Sequence, residues 1–309
     1  MAKRIVTRTV SPIIETLTDK QVQARLYNGD CFDLLAAMPN KSVKLTVTSP
    51  PYCIGKEYET NYDVDAFIET HERILPEIVR VTKVGGSICW QVGFHVKDGV
   101  ITPLDFLVHD IMRKLEGIKL RNRIVWTYGH GLHCAKRFSG RYEVIMWYTK
   151  GDKVNYFNLD AVRVPQKYPG KRFANGGKQG EFSGNPKGKN PSDVWDEIPN
   201  VKSNHVEKTN HPCQYPVALV TRLVRALTRK NDLVLDPFAG VASTGVAAIL
   251  EGRRFVGAER SHKYIAVAKS RLQEAIDGTA DIRPLERAIY IPKANEKVAI
   301  KPKHFWKAK

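Results

Sequence analysis

Short apolar strand patterns alternate with amphipathic helical patterns along most of this chain, and that alternation restricts the fold more than any single motif. Val43, Leu45 and Val47 mark a half-buried strand. A helix over 64–83 follows, with Phe67, Ile68, Ile74, Leu75 and Ile78 apolar, a bend at Pro76 and a stop at Gly85-Gly86. Strands over 87–92, 123–128 and 142–148 and a helix over 103–115 continue the series. A second run reads helix 216–229, strand 232–236, helix 243–251 closed by Gly252, strand 254–258 and helix 264–275. Upstream, Arg25 to Asp30 is a short strand leading to a helix near 31–38, for which Asp30 is a natural N-cap. The expectation is an α/β fold with a mostly parallel sheet covered by helices on both faces.

Two strand ends carry unusual chemistry. The first is Thr48-Ser49-Pro50-Pro51-Tyr52. Two prolines stop the strand, since neither donates a ladder hydrogen bond, and they lock the backbone as it leaves the sheet. The result is a rigid corner with fixed carbonyl acceptors, a hydroxyl before it and an aromatic ring after it. Alone, such a corner is more often a plain turn. The second is Leu235-Asp236-Pro237-Phe238-Ala239-Gly240, followed by a helix and by Val256-Gly257-Ala258-Glu259. Gly240 lets a ligand approach the backbone, and an acid ending the next strand can accept from ribose hydroxyls. A single early glycine does not give the spacing that cradles a pyrophosphate. A cofactor with a ribose and no phosphate, such as S-adenosyl-L-methionine, fits better.

Charge points to the partner. The 309 residues are 42% hydrophobic, enough for a proper core, yet carry a net charge of +17. A pI near 9.6 favours a polyanion. No apolar run nears the ~20 residues of a membrane span, and Met1-Ala2-Lys3-Arg4 lacks a signal-peptide core, so nucleic acid and a cytoplasmic setting are expected. The cysteines at 31, 53, 89, 134 and 213 are scattered, as free thiols of a reducing compartment would be. Between Arg163 and Lys189 the chain is basic and Gly-rich, with Tyr168, Phe173 and Phe182 interleaved. Such a segment buries no core and suits phosphates and exposed bases, so Lys167, Lys171, Arg172, Lys178, Lys187 and Lys189 are the candidate DNA contacts. The expected division is an arm at 1–24, an α/β half at 25–159 carrying the proline corner, a basic insertion at 160–205 for nucleic-acid contact, an α/β half at 206–278 carrying the glycine turn and a basic tail at 279–309, either disordered or lying on DNA.

In their joint order these motifs resemble the DNA amino-methyltransferases of the β arrangement, in which an "S/D/N-P-P-Y/F/W" motif precedes a "D-P-F-x-G-x-G" motif. Leu26-Tyr27-Asn28-Gly29-Asp30, Arg141-Tyr142-Glu143 and His211-Pro212-Cys213-Gln214-Tyr215-Pro216 match further family segments in order. The resemblance, over roughly 25–275, implies a Rossmann-like S-adenosyl-L-methionine-dependent fold with circularly permuted motif order. It implies catalytic roles for Ser49, Pro50, Pro51 and Tyr52, and cofactor contacts from Asp30, Cys31, Gln214, Asp236, Phe238, Ala239, Gly240, Ala242, Glu259 and Arg260. The substrate it implies is double-stranded DNA with the target base flipped out. Ser before Pro-Pro favours N4 of cytosine over N6 of adenine. The partners implied are a cognate restriction endonuclease and, for a chain that is monomer or homodimer, a second copy. An RNA methyltransferase and a non-catalytic DNA-binding protein on this fold are the alternatives.

Two departures stand out. The second glycine of "F-x-G-x-G" is Ala242, whose methyl is expected to narrow the pocket around the cofactor's methionine part. Pro212-Cys213-Gln214 imitates the nucleophilic motif of carbon-5 cytosine enzymes, but it precedes the cofactor motif, so Cys213 is not read as a nucleophile. His130, His133 and Cys134 lack a fourth ligand at finger-like spacing, so no metal is expected. Tyr58, Tyr62 and Asp63 either shape the base pocket or are ordinary surface residues.

Overall fold

The computed structural model describes residues 14–18, 23–52, 64–129, 133–152, 156–202 and 204–302. In chain order its elements are β1 (Ile14–Thr18), β2 (Gln23–Asn28), α1 (Cys31–Ala37), β3 (Val43–Thr48), α2 (Val64–Val81), β4 (Thr82–Val92), β5 (Phe94–Lys97), β6 (Val100–Pro103), α3 (Leu104–Met112), β7 (Ile118–Thr127), β8 (Tyr142–Lys150), β9 (Val194–Trp195), α4 (Val217–Leu227), β10 (Leu233–Asp236), α5 (Ser243–Leu250), β11 (Arg254–Glu259) and α6 (His262–Ile276). Nine strands form one sheet in the order β1-β2-β11-β10-β3-β4-β8-β7-β9. The central pairs β2–β11, β11–β10, β10–β3 and β3–β4 are parallel. Antiparallel pairing is confined to β1 on one side and to β8 with its neighbours on the other.

Strand side chains alternate between two cores, as the period of a pleat requires. Ile88, Trp90 and Val92 of β4 and Val144, Met146 and Tyr148 of β8 pack under α1, α2 and α3. Cys89, Ile145, Trp147, Val234 and Phe255 face the opposite way, toward α4, α5 and α6. Both faces of the central strands are therefore buried; β3, whose alternation reads as half-buried, is buried at every position, Lys44, Thr46 and Thr48 included. Neighbours β10 and β3 send their chain in opposite directions across the sheet: β3 leads through α2 to β4, and β10 through α5 to β11. This is the switch point, where open α/β sheets bind ligands beyond their strand ends.

Several boundaries differ from the sequence reading. Gly85-Gly86 does not stop a helix; α2 ends at Val81 and the pair lies within β4. A Cβ on Gly86 would stand 2.8 Å from the Thr82 methyl and 3.0 Å from the Lys44 carbonyl. The glycines thus allow close backbone contact where the β3–β4 register shifts. The region read as an arm supplies β1 and the start of β2. The 160–205 segment is not wholly surface, because Val162, Trp195, Ile198 and Val201 are buried and Trp126 Nε1 donates to the Ile198 carbonyl at 2.7 Å. Past α6 no described residue is helical or in a strand, yet Ile282 and Leu285 pack on the core and the Arg283 amide donates to Glu207.

Candidate active site

The strand order places the two motif corners side by side. At the carboxyl ends stand Asp30 after β2, Glu259 ending β11, Pro237 to Gly240 after β10, Ser49 to Tyr52 after β3 and Gly93 after β4. Because β8 is antiparallel to β4 and to β7, the start of β8 and the end of β7 share this edge. Glu143 and Tyr128 therefore extend the same row.

A buried hydrogen-bond network locks the β3 corner to the β10 corner. Asp236 is 0% exposed. Its Oδ1 accepts from Thr48 Oγ1 at 2.6 Å and from the Phe238 amide at 3.1 Å, and its Oδ2 accepts from the Tyr215 hydroxyl at 2.8 Å. Thr244 Oγ1 lies 2.5 Å from that hydroxyl and donates to the Val47 carbonyl at 3.3 Å. Burial pushes the Asp236 carboxyl up, against the donors from Thr48 and Tyr215 that favour its charge. This corrects one expectation: the Asp236 side chain is tied to protein donors and is not open to a cofactor. Thr48 and Tyr215 entered the sequence reading only as members of the quoted motifs, with no role of their own, and Thr244 was not singled out.

In the β3 corner, Ser49 Oγ lies 3.2 Å from the Tyr52 hydroxyl. The Tyr52 ring packs against Gly93, where a Cβ would come within 3.5 Å of it. Burial first, and the nearby Glu143 carboxylate second, hold the Tyr52 phenol well above its usual range, so it stays protonated. A protonated phenol can donate to Ser49 Oγ and leave that oxygen a lone pair for an incoming N–H. Gln91 Nε2 donates to Glu143 beneath the ring. The sequence named Glu143 only as part of a family segment and gave neither it nor Gln91 a role, since neither belongs to the corner motif.

The cofactor half divides into an open edge and a buried wall. Asp30 caps α1 by accepting from the Phe32 amide at 2.9 Å, yet its side chain is 43% exposed and stands 4.0 Å from Arg260. Glu259 accepts from the Gly240 amide at 3.0 Å and the Ser261 amide at 2.7 Å. Burial raises its carboxyl above the usual glutamate range, opposed by those amides. Phe238 is half-buried, edge-on to Trp90 at 6.3 Å. Gly240 has φ of 51°, and a Cβ there would sit 3.2 Å from the His211 ring. Carboxylates, a glycine cradle and an aromatic ring along one edge suit a ribose-bearing cofactor with an adenine.

Four expected contacts turn inward. Gln214 is 7% exposed; its Nε2 donates to the Glu207 carbonyl at 2.7 Å and its Oε1 accepts from Thr209 Oγ1 at 2.8 Å, so it holds its own loop. Cys31 is buried in the core beneath Asp30, with its thiol pushed up to about 12 by burial. Ala239 is buried and ties β10 to β11 through its amide and the Ala258 carbonyl at 2.8 Å. The Ala242 methyl is wholly buried in the core, so it does not narrow a pocket. Its consequence is conformational, because Ala242 sits at φ 59°, ψ 37°, a left-handed geometry that glycine adopts freely. Arg271 buttresses the same turn, donating to the Val241 carbonyl at 2.6 Å.

Beyond β7 a cleft of about 990 Å³ opens along the catalytic end, between Tyr128, Arg141 and Tyr142 on one wall and Asn200, Lys202 and His205 on the other. Of the basic residues in 163–189, Lys167, Lys171, Arg172, Lys178, Lys187 and Lys189 are exposed and Arg163 is half-buried, and Val164 pairs with Lys189 at the root of the segment, ahead of β9. Lys187 pairs with Asp160 at 2.6 Å, and the Arg172 guanidinium lies over Phe182. Cys213 is exposed. Cys53, Tyr58, Tyr62, Asp63 and His130 lie outside the described residues. Among the described residues, no group of three His, Cys, Asp or Glu could hold a metal ion, and no helix is long and apolar enough to cross a membrane.

With two interlocked strand-end corners on a switch-point sheet, the class is clear: residues 43–270 match the DNA methylase family of N6 and N4 amino-methyltransferases, and the chain belongs to it. It is an S-adenosyl-L-methionine-dependent DNA methyltransferase. Among relatives, the Type II methyltransferase M.BglII of Bacillus subtilis is 45% identical over 250 residues, covering 81% of this chain and 69% of its own length. The DNA adenine methyltransferase YhdJ of Escherichia coli is 34% identical, covering 83% and 85% respectively. The solved structure of TTHA0409 of Thermus thermophilus, complexed with S-adenosyl-L-methionine, superposes with a TM-score of 0.59 at 28% identity, covering 82% of this chain and 96% of that one.

Proposed function

We propose that this enzyme methylates the exocyclic N4 of a cytosine extruded from double-stranded DNA, as the modification partner of a Type II restriction endonuclease. The observation that carries the reading is the neutral Ser49 hydroxyl heading the acceptor corner, beside a protonated Tyr52. In the family that this chain resembles, Ser at this place accompanies N4-cytosine products and Asp accompanies N6-adenine. The name of M.BglII supports the Type II assignment. The adenine reading is the second one, favoured by the 34% identity to YhdJ.

An exocyclic amino group is a poor nucleophile because its lone pair is delocalised into the ring. Ser49 Oγ and the Pro50 carbonyl accept from its N–H bonds and draw the nitrogen toward tetrahedral geometry as the bond forms, a preorganised electrostatic stabilisation. Pro51 keeps the carbonyl from turning away, and Tyr52 stacks on the base. Asp30, Glu259, Gly240, Phe238 and Arg260 hold the cofactor, which supplies an electrophilic methyl on a sulfonium. The Thr48–Asp236–Tyr215 network keeps the two halves in register, and alignment supplies the proximity contribution. Lys167, Lys171, Arg172, Lys178 and Lys189 bind phosphates, whereas Lys187, already paired with Asp160, contributes less. Reading of the sequence falls to the cleft past β9 as well as to the basic segment.

The test is direct: incubate the protein with labelled S-adenosyl-L-methionine and plasmid DNA, digest to nucleosides and identify the product by mass spectrometry. N4-methylcytosine is expected. N6-methyladenine overturns the cytosine assignment, and no labelled nucleoside overturns catalysis on duplex DNA.

A further inference from the structure

Phe138 is 99% exposed, an uncommon state for a phenyl ring on a folded surface. It sits in the connection between β7 and β8, with Lys136 and Arg137 before it and Arg141 after it. Both roots of this connection lie at the catalytic edge. The Tyr128 amide donates to the Arg141 carbonyl at 3.0 Å, and Arg141 Nη1 donates to the Gly129 carbonyl at 2.6 Å. Tyr128 follows β7 and Tyr142 opens β8 on the same strand-end edge as the Ser49–Tyr52 corner, so both roots of the connection stand along that row.

The loop also holds the ring out by its own contacts. The Cys134 amide donates to Ser139 Oγ at 3.1 Å, closing a turn around 134–139. Gly140 packs flat on the Phe94 ring, where any Cβ would collide, and Phe94 in turn contacts Tyr142 at 5.6 Å between ring centres. Two other exposed aromatics of basic surface differ: Arg172 covers Phe182 at 4.0 Å and Lys167 lies over Tyr168 at 5.5 Å. Phe138 is presented bare, on a stapled turn, between cations.

We propose that Phe138 is a wedge that enters the DNA stack and fills the space vacated by the extruded base, while Lys136 and Arg137 hold the flanking phosphates. Apolar side chains inserted between base steps are a known way to balance the loss of stacking, and a flat ring replaces stacking area that water cannot. The inference rests on base extrusion, and it assigns that step to a residue outside both motifs.

The target site is first mapped by sequencing plasmid DNA methylated by the wild-type protein, and a synthetic duplex carrying that site is the probe. Phe138→Ala is expected to methylate the fully paired duplex roughly tenfold more slowly or worse, because extrusion loses its compensation. On the same duplex with an abasic residue opposite the target, where extrusion is easy, it should recover to near the wild-type rate, and Phe138→Trp should stay near wild type on both. Equal rates of Phe138→Ala and wild type on the paired duplex overturn the wedge, as does an equal loss on both duplexes. With 2-aminopurine at the target position, wild-type protein should raise the fluorescence and Phe138→Ala should raise it less. No rise with wild type overturns extrusion itself, whereas an undiminished rise with Phe138→Ala overturns only the wedge.

Discussion

Asp236 illustrates how a motif residue can be conspicuous in sequence for one reason and important in structure for another. Its place at a strand end before Pro-Phe-x-Gly suggests a ligand, but its carboxylate serves Thr48, Tyr215 and the Phe238 amide. Asp236→Asn loses charged acceptance of two hydroxyls in a fully buried site, and we expect a stability loss of about 2–3 kcal/mol in chemical denaturation. An unchanged midpoint would show that the network is not a structural tie. Glu259 is the proposed acceptor for the ribose hydroxyls, and burial raises its carboxyl. Hydroxyl recognition needs the ionised form, so cofactor affinity should decline on acidification from above the usual glutamate range. Calorimetry across pH tests this, and Glu259→Gln should weaken binding at neutral pH and flatten the profile. Ala242 shows what a sequence leaves illegible: the missing glycine was visible, but whether its methyl met a cofactor or the core depended on a φ angle and on packing.

At the scale of elements, the central strands and their helices were legible because their apolar positions keep the period of a pleat or of a helix, although alternation made β3 look half-buried when both its faces are covered. Edge elements were not. The two-residue β9 and the β5–β6 hairpin are too short for a period, and β1 owes its form to pairing with β2. Gly85-Gly86 misled because glycine stops helices and also permits close strand contact, and only the Thr82 and Lys44 neighbours distinguish the two. The basic segment read as surface between 163 and 189 is mostly exposed, with Arg163 half-buried and Gly188 buried at its root, while its continuation through Trp195 and Ile198 is core. Replacing Lys167, Lys171, Arg172 and Lys178 by Gln together should weaken DNA binding across sequences, with the log–log salt slope falling by about 0.9 for each phosphate no longer neutralised. Adding Lys187→Gln should change little more, since that cation is paired with Asp160. A slope unchanged by the fourfold replacement would place the phosphate-binding cations elsewhere.

Across the whole molecule, the parallel strands bring a corner near residue 50 and a corner near residue 237 together, although the motifs stand far apart in the chain. Each half is ordinary alone: one is a proline corner and the other a glycine turn. They join at the switch point, and the proposed function places cofactor groups along β2, β11 and β10 and base groups along β3, β4 and β8. That division of labour is tested most directly at Ser49. Single-turnover methylation and calorimetric cofactor binding are measured for wild type and Ser49→Ala with the same DNA. The account predicts a rate lower by roughly tenfold to a hundredfold with cofactor affinity unchanged, since an acceptor aimed at the amino group acts in the transition state. Cofactor binding that falls in step with the rate, or a rate that does not fall, would contradict it.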